Sequence, residues 1–146
     1  MSDTKFYMQK CLELAKQSGA DVPVGAIVVK DGKIVSYSYN KKEAKGQVTA
    51  HAEILALNEA AKKMNNWRLT DCNIYVTLEP CPMCAWAILN SNIKNVYFGA
   101  SDIKYGAFGG ALNLLNYSNF KTKVFGGIME EECEELLKEY FRSIRK

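Results

Sequence analysis

The sequence predicts one α/β domain, a three-layer α/β/α arrangement with helices on both faces of a mixed five-stranded sheet. Three observations carry this. β-Branched runs alternate with segments of helical periodicity, giving the order α-β-β-α-β-α-β-(α)-β-α. The first two strands are joined by a tight hairpin signal, while the later ones are separated by helices and so are candidates for parallel pairing. The chain has 146 residues, 48% of them hydrophobic and 24% charged, with no internal repeat, low-complexity linker or composition shift. Residues 1–146 therefore read as a single domain. At this length roughly 70% of the unfolded chain's surface is buried on folding, so neither metal nor disulfide is needed simply to fold.

Each element has its own warrant. Met8, Cys11, Leu12 and Ala15 fall on one helical face and Gly19 follows, which predicts a helix over about 4–18. Residues 24–30 are β-branched and apolar, Asp31-Gly32 is a two-residue turn, and residues 33–39 answer with an alternating Val35, Tyr37, Tyr39 face. Ala50, Ile54, Leu57 and Ala61 mark a second helix over 49 to about 64. A third strand, 73–78, runs into Glu79-Pro80-Cys81-Pro82, and Pro82 suits the first position of a third helix reaching about Asn90. Residues 95–98 read as the fourth strand and 99–110 as a glycine-rich loop. A short helix at 111–116, a short strand at 123–125 and a final helix at 130–144 complete the chain.

Composition excludes several classes of function. No signal peptide is readable after Met1, which predicts a cytoplasmic protein. The longest uncharged apolar runs, 22–29 and 81–89, are about half of what a membrane span requires, so no membrane partner is expected. A net charge of +3 permits attraction to phosphates without being a nucleic-acid footprint. Five cysteines are too few for a disulfide scaffold, and the odd count suits a reducing compartment. His51 is the only histidine, which rules out any site needing two from this chain.

Chemistry concentrates in His51-Ala52-Glu53 and Pro80-Cys81-Pro82-Met83-Cys84. Cys81 and Cys84, three apart at the start of a helix, can present both sulfurs to one ion, and His51 completes a three-ligand set. Three protein ligands leave a fourth tetrahedral position for water, the pattern of catalytic rather than structural zinc. Helix N-termini favour thiolate over thiol, and two thiolates with a neutral imidazole balance the charge of Zn²⁺. Taken alone, C-x-x-C is also the pattern of a redox pair or of half a structural zinc site. Cys11, Cys72 and Cys133 have no partner at ligand spacing and read as buried filler. Glu53 stands some 200° around the helix from His51, yet both can converge on an ion lying off the helix end. Glu53 would then serve as catalytic proton shuttle between the bound water and the leaving group.

With these motifs the chain resembles bacterial tRNA-specific adenosine deaminase, a family of the cytidine and deoxycytidylate deaminase superfamily whose signature is H-x-E followed by P-C-x-x-C. The resemblance extends to residues 21–29, to Asn40 ahead of His51, to Phe98-Gly99-Ala100-Ser101-Asp102 and to Tyr140-Phe141-Arg142, covering about residues 6–145. It implies a cytidine-deaminase-like fold and hydrolytic deamination of adenosine to inosine at the tRNA wobble position. It further implies a homodimer with one Zn²⁺ per subunit on His51, Cys81 and Cys84, zinc-bound water as nucleophile and Glu53 as the shuttle. Asn40 would hydrogen-bond the flipped base, and Phe141 and Arg142 would lie against the anticodon loop. Where the family commonly has Asp-Pro before Thr-Ala-His-Ala-Glu, this chain has Gln47-Val48, which leaves Thr49 to cap the helix. Basic residues Lys41, Lys42, Lys45, Arg142, Arg145 and Lys146 favour a polynucleotide substrate. The site chemistry alone also admits a small-molecule deaminase acting on guanine or a cytosine nucleoside, or a non-catalytic zinc- or RNA-binding module.

Overall fold

The computed structural model describes residues 2–144, leaving Arg145 and Lys146 of the basic tail outside the described residues. Helix α1 (Ser2–Ala15) leads into β1 (Gly25–Lys30) and β2 (Lys33–Tyr39). A one-turn helix α2 (Lys42–Lys45), which the sequence does not announce, precedes α3 (Ala52–Met64). Then come β3 (Cys72–Leu78), α4 (Pro82–Asn90), β4 (Asn95–Ala100), a 3-10 turn (Leu114–Tyr117), β5 (Lys123–Phe125) and α5 (Glu130–Ile144). The strands form one sheet in the order β2-β1-β3-β4-β5. β1 is antiparallel to β2 and β3, whereas β3, β4 and β5 run parallel, so the sheet is mixed as predicted.

Period-two alternation divides the core between the two faces. Ala26 and Val28 of β1, Ile74 and Val76 of β3, and Val96 of β4 pack with Ala56, Leu57 and Ala60 of α3 and with Ala85, Ile88 and Leu89 of α4. The opposite parity, Ile27, Val29 and Tyr75, packs under Met8, Cys11 and Leu12 of α1 and Cys133 of α5. Helix α1 approaches β1 closely because residue 25 is glycine; a β-carbon there would overlap the Cys11 carbonyl oxygen. The hairpin forms as read, with Asp31 at φ 51° and Gly32 at φ 74°, the positive pair a type I′ turn demands.

Four details depart from the sequence reading. α1 stops at Ala15 rather than near 18, and the segment predicted as a helix at 111–116 is a 3-10 turn displaced to Leu114–Tyr117, entered through an Asn113 side-chain cap on Leu115 N–H. α3 begins at Ala52 instead of 49, so Thr49 does not cap it; His51 holds the N-cap position without a side-chain cap bond of its own. In β2 the buried parity is Ser36 and Ser38, while Tyr37 is 63% exposed. Ser36 Oγ donates to Ala56 O at 2.6 Å, and a small polar residue there lets α3 lie close against the sheet.

Candidate active site

The site lies at the carboxyl end of β3 and β4, the end where open α/β sheets present ligands. Two helices begin there from extended residues. His51, at φ −78° and ψ 149°, precedes α3, and Cys81, at φ −72° and ψ 172°, precedes α4, with Pro82 fixing the first helical position. Cys84 sits in the first turn of α4 and is buried. His51 Nδ1 is 3.4 Å from Cys84 Sγ and 3.8 Å from Cys81 Sγ. All three ligand atoms lie within 4.8 Å of one another. A tetrahedral zinc with bonds of about 2.3 Å to sulfur and about 2.0–2.1 Å to nitrogen sets N···S near 3.6 Å, a value the two distances bracket. The donor set fits a metal, and zinc is the ion these donors typify.

The same packing sets the charge states. Cys81, accepting a hydrogen bond from Cys84, is pulled down to about 4 and stands as thiolate, while that bond and burial hold the Cys84 thiol well above its ordinary value. The hydrogen bond to Cys81 raises His51. Glu53, only 4% exposed and within hydrogen-bonding reach of Cys84, is pushed up by burial to about 7. A carboxyl group at that value can hold or release a proton near neutrality. Glu53 therefore reaches the ligand cluster from the first turn of α3, which removes the angular objection raised by its spacing from His51.

His51, Glu53 and Cys81 open into a cavity of about 990 Å³ whose walls include Asn40, Lys42, Asp102, Tyr105 and Phe141. It combines a cluster able to hold a metal with an adjacent buried acid, the parts a hydrolytic deaminase needs. The MafB19-like deaminase family model matches residues 1–145. The chain belongs to this family. A "tRNA-specific adenosine deaminase" of Bacillus subtilis is 41% identical over 150 residues, covering 100% of this chain and 93% of the relative. One of Haemophilus influenzae with the same name is 42% identical, covering 95% of this chain and 83% of the relative. A solved structure from studies of A-to-I editing by tRNA:A34 deaminases at the wobble position superposes with a TM-score of 0.83 at 36% identity. It covers 90% of this chain and 98% of that one. The fold is thus that of the cytidine-deaminase-like enzymes, and the chain is a deaminase.

The remaining residues singled out in the sequence fall into two groups. Asn40 lines the deaminase cavity, but its side chain is already engaged in the fold. Its Oδ1 accepts from Ala52 N–H at 2.8 Å and its Nδ2 donates to Val22 O at 2.9 Å. Asn40 thus supplies from a distance the cap that Thr49 does not. Phe141, 42% exposed, lines the cavity, whereas Arg142 lies outside it against a smaller neighbouring pocket and pairs with Glu135 at 3.9 Å. Tyr140 fastens α5 beside the site by donating to Ala20 O at 2.8 Å. Cys11, Cys72 and Cys133 are buried, away from the ligand cluster. Among the described residues no helix is long and apolar enough to cross a membrane. Glu79 carried no role in the sequence reading, because a lone glutamate before proline has no motif; its contacts emerge only when residues 102–110 fold back over it.

Proposed function

We propose that this deaminase converts adenosine to inosine at the wobble position of a tRNA anticodon, in the cytoplasm and as a homodimer. The observation that carries the reading is the His51, Cys81 and Cys84 triangle with buried Glu53 beside it, of which His51, Glu53 and Cys81 line the cavity. The names of the two bacterial relatives supply the substrate class. Zinc held by His51, Cys81 and Cys84, one per subunit, would supply a Lewis acid that makes water nucleophilic near neutral pH. Glu53 takes a proton from the attacking water and passes it to the departing amine. A C6–O bond forms, the C6–N bond breaks and ammonia leaves.

An anticodon loop presents unpaired bases, which lowers the cost of extruding adenosine into the pocket. Asn40, with one amide N–H and one oxygen lone pair beyond its two bonds to the fold, meets the base edge. Phe141 stacks on a loop nucleotide, and Arg142 pairs with phosphate. Met83 and Trp86, exposed at 37% and 43% on α4 beside the ligand turn, offer apolar surface to a second subunit. The test is to incubate zinc-loaded protein with unmodified tRNA bearing a wobble adenosine and sequence the product, in which inosine reads as guanosine. Turnover of free guanine or cytosine nucleosides with no inosine in the tRNA would sink the proposal.

A further inference from the structure

Glu79 is a carboxylate 3% exposed, and no lysine, arginine or histidine pairs with it among the described residues. Its partners are backbone amides instead. Oε1 accepts from Asp102 N–H at 2.9 Å, and Oε2 accepts from Phe108 N–H at 2.9 Å and Gly110 N–H at 2.8 Å. The segment departs from β4 at Asp102 and returns at Phe108 and Gly110, so one side chain holds both ends of it. Between those ends Asp102 Oδ1 accepts from Lys104 and Tyr105 N–H, and Asp102, Lys104 and Tyr105 all line the deaminase cavity.

The other end of the clamp is the ligand turn. Glu79 N–H donates to Ala100 O at 2.8 Å, the next residue's carbonyl, Pro80 O, accepts from Ala107 N–H at 2.9 Å, and Cys81 follows. Space for the carboxylate is written into the sequence. A β-carbon at Gly106 would overlap the Glu79 carboxyl group, and one at Gly110 would overlap Asp102 O. The chemistry calls for a carboxylate specifically: three converging N–H donors meet two oxygens that carry no hydrogen, whereas a glutamine amide would turn its own N–H₂ toward at least one of them.

We propose that Glu79 is a positioning residue that locks the 101–110 wall of the substrate cavity to the turn bearing Cys81. It thereby sets where the base sits relative to the metal ligands. The proposal deepens the adenosine-deaminase reading and rests on it for the meaning of the cavity, not for the clamp itself. The experiment compares full-length, zinc-loaded wild type with Glu79→Gln and Gly106→Ala by hydrogen exchange and by steady-state kinetics on tRNA.

Both variants should keep one zinc per subunit. Exchange should quicken about 10- to 100-fold, the loss of a bond to a charged acceptor, at one or more of the amides of Asp102, Phe108 and Gly110, and KM for tRNA should rise about tenfold or more with a smaller fall in kcat. A merely structural role would lower the active fraction, and so apparent kcat, without moving KM. Unchanged protection of the three amides, or an unchanged KM, overturns the proposal. If Glu79→Gln does not fold, Gly106→Ala decides by the same two criteria, since it displaces the wall while leaving the carboxylate in place. If the wild type makes no inosine in tRNA, the substrate reading fails, and the exchange arm still decides the clamp.

Discussion

Replacing Asn40 with alanine separates two roles that one side chain has been given. Ala52 is fully buried, and its N–H is satisfied by Asn40 Oδ1 at 2.8 Å. Removing that acceptor leaves a buried donor unpaired, and the bond from Asn40 Nδ2 to Val22 O is lost with it. Together these cost about 2–4 kcal/mol. For 146 residues at about 2.1 cal/mol/K each, the unfolding entropy is about 0.3 kcal/mol/K, so Tm should fall by about 7–13 °C. Asn40→Asp keeps the acceptor for Ala52 N–H but sets an oxygen against Val22 O, so it should recover only the capping part of the loss. The assay is thermal unfolding of the zinc-loaded variants beside deamination of tRNA. A residue that only touched the base would leave Tm within about 2 °C of wild type, since substitutions clear of such structural features usually stay within about 0.5 kcal/mol. That result would refute the capping role.

Three further outcomes are expected. Glu53→Ala should retain zinc and fold while kcat drops by about 10²–10⁴-fold, the usual worth of a positioned proton shuttle; undiminished turnover would remove the role assigned to it. After chelation, a thiol reagent should modify half-exposed Cys81 first, leaving Cys11, Cys72 and Cys133 unmodified until the chain unfolds, and zinc should restore protection; early loss of Cys11 or Cys133 would contradict their burial. Truncation after Glu139 removes the Tyr140 bond to Ala20 and the Phe141 wall, so tRNA affinity should weaken more than zinc affinity, as titration of each ligand would report.

Legibility in the sequence followed the range of the interactions involved. The convergence of His51, Cys81 and Cys84 could be read because ligand chemistry ties residue type to local spacing, and the hairpin could be read because Asp31-Gly32 encodes its own backbone geometry. The inward serines of β2 defeated the hydrophobic alternation because the deciding partner, Ala56 O, lies 20 residues away on α3. Likewise the start of α3 was misplaced because its cap comes from Asn40, on the far side of the α2 turn, rather than from Thr49. Glu79 was invisible for the same reason, as its three donors lie 23 to 31 residues downstream.

The three residues proposed as ligands come from opposite halves of the sheet. The imidazole follows the β1–β2 hairpin, and both thiols follow β3, which must pair with the hairpin on one side and β4 on the other. Neither the hairpin half nor the parallel half can assemble the three-ligand set alone. On the proposed ligand set, high-affinity metal capture during synthesis would wait until α4 has emerged and β3 has docked beside β1. Zinc uptake at the proposed site would then be a timestamp for completed topology, and a pulse of metal during refolding would mark the moment at which the two halves join.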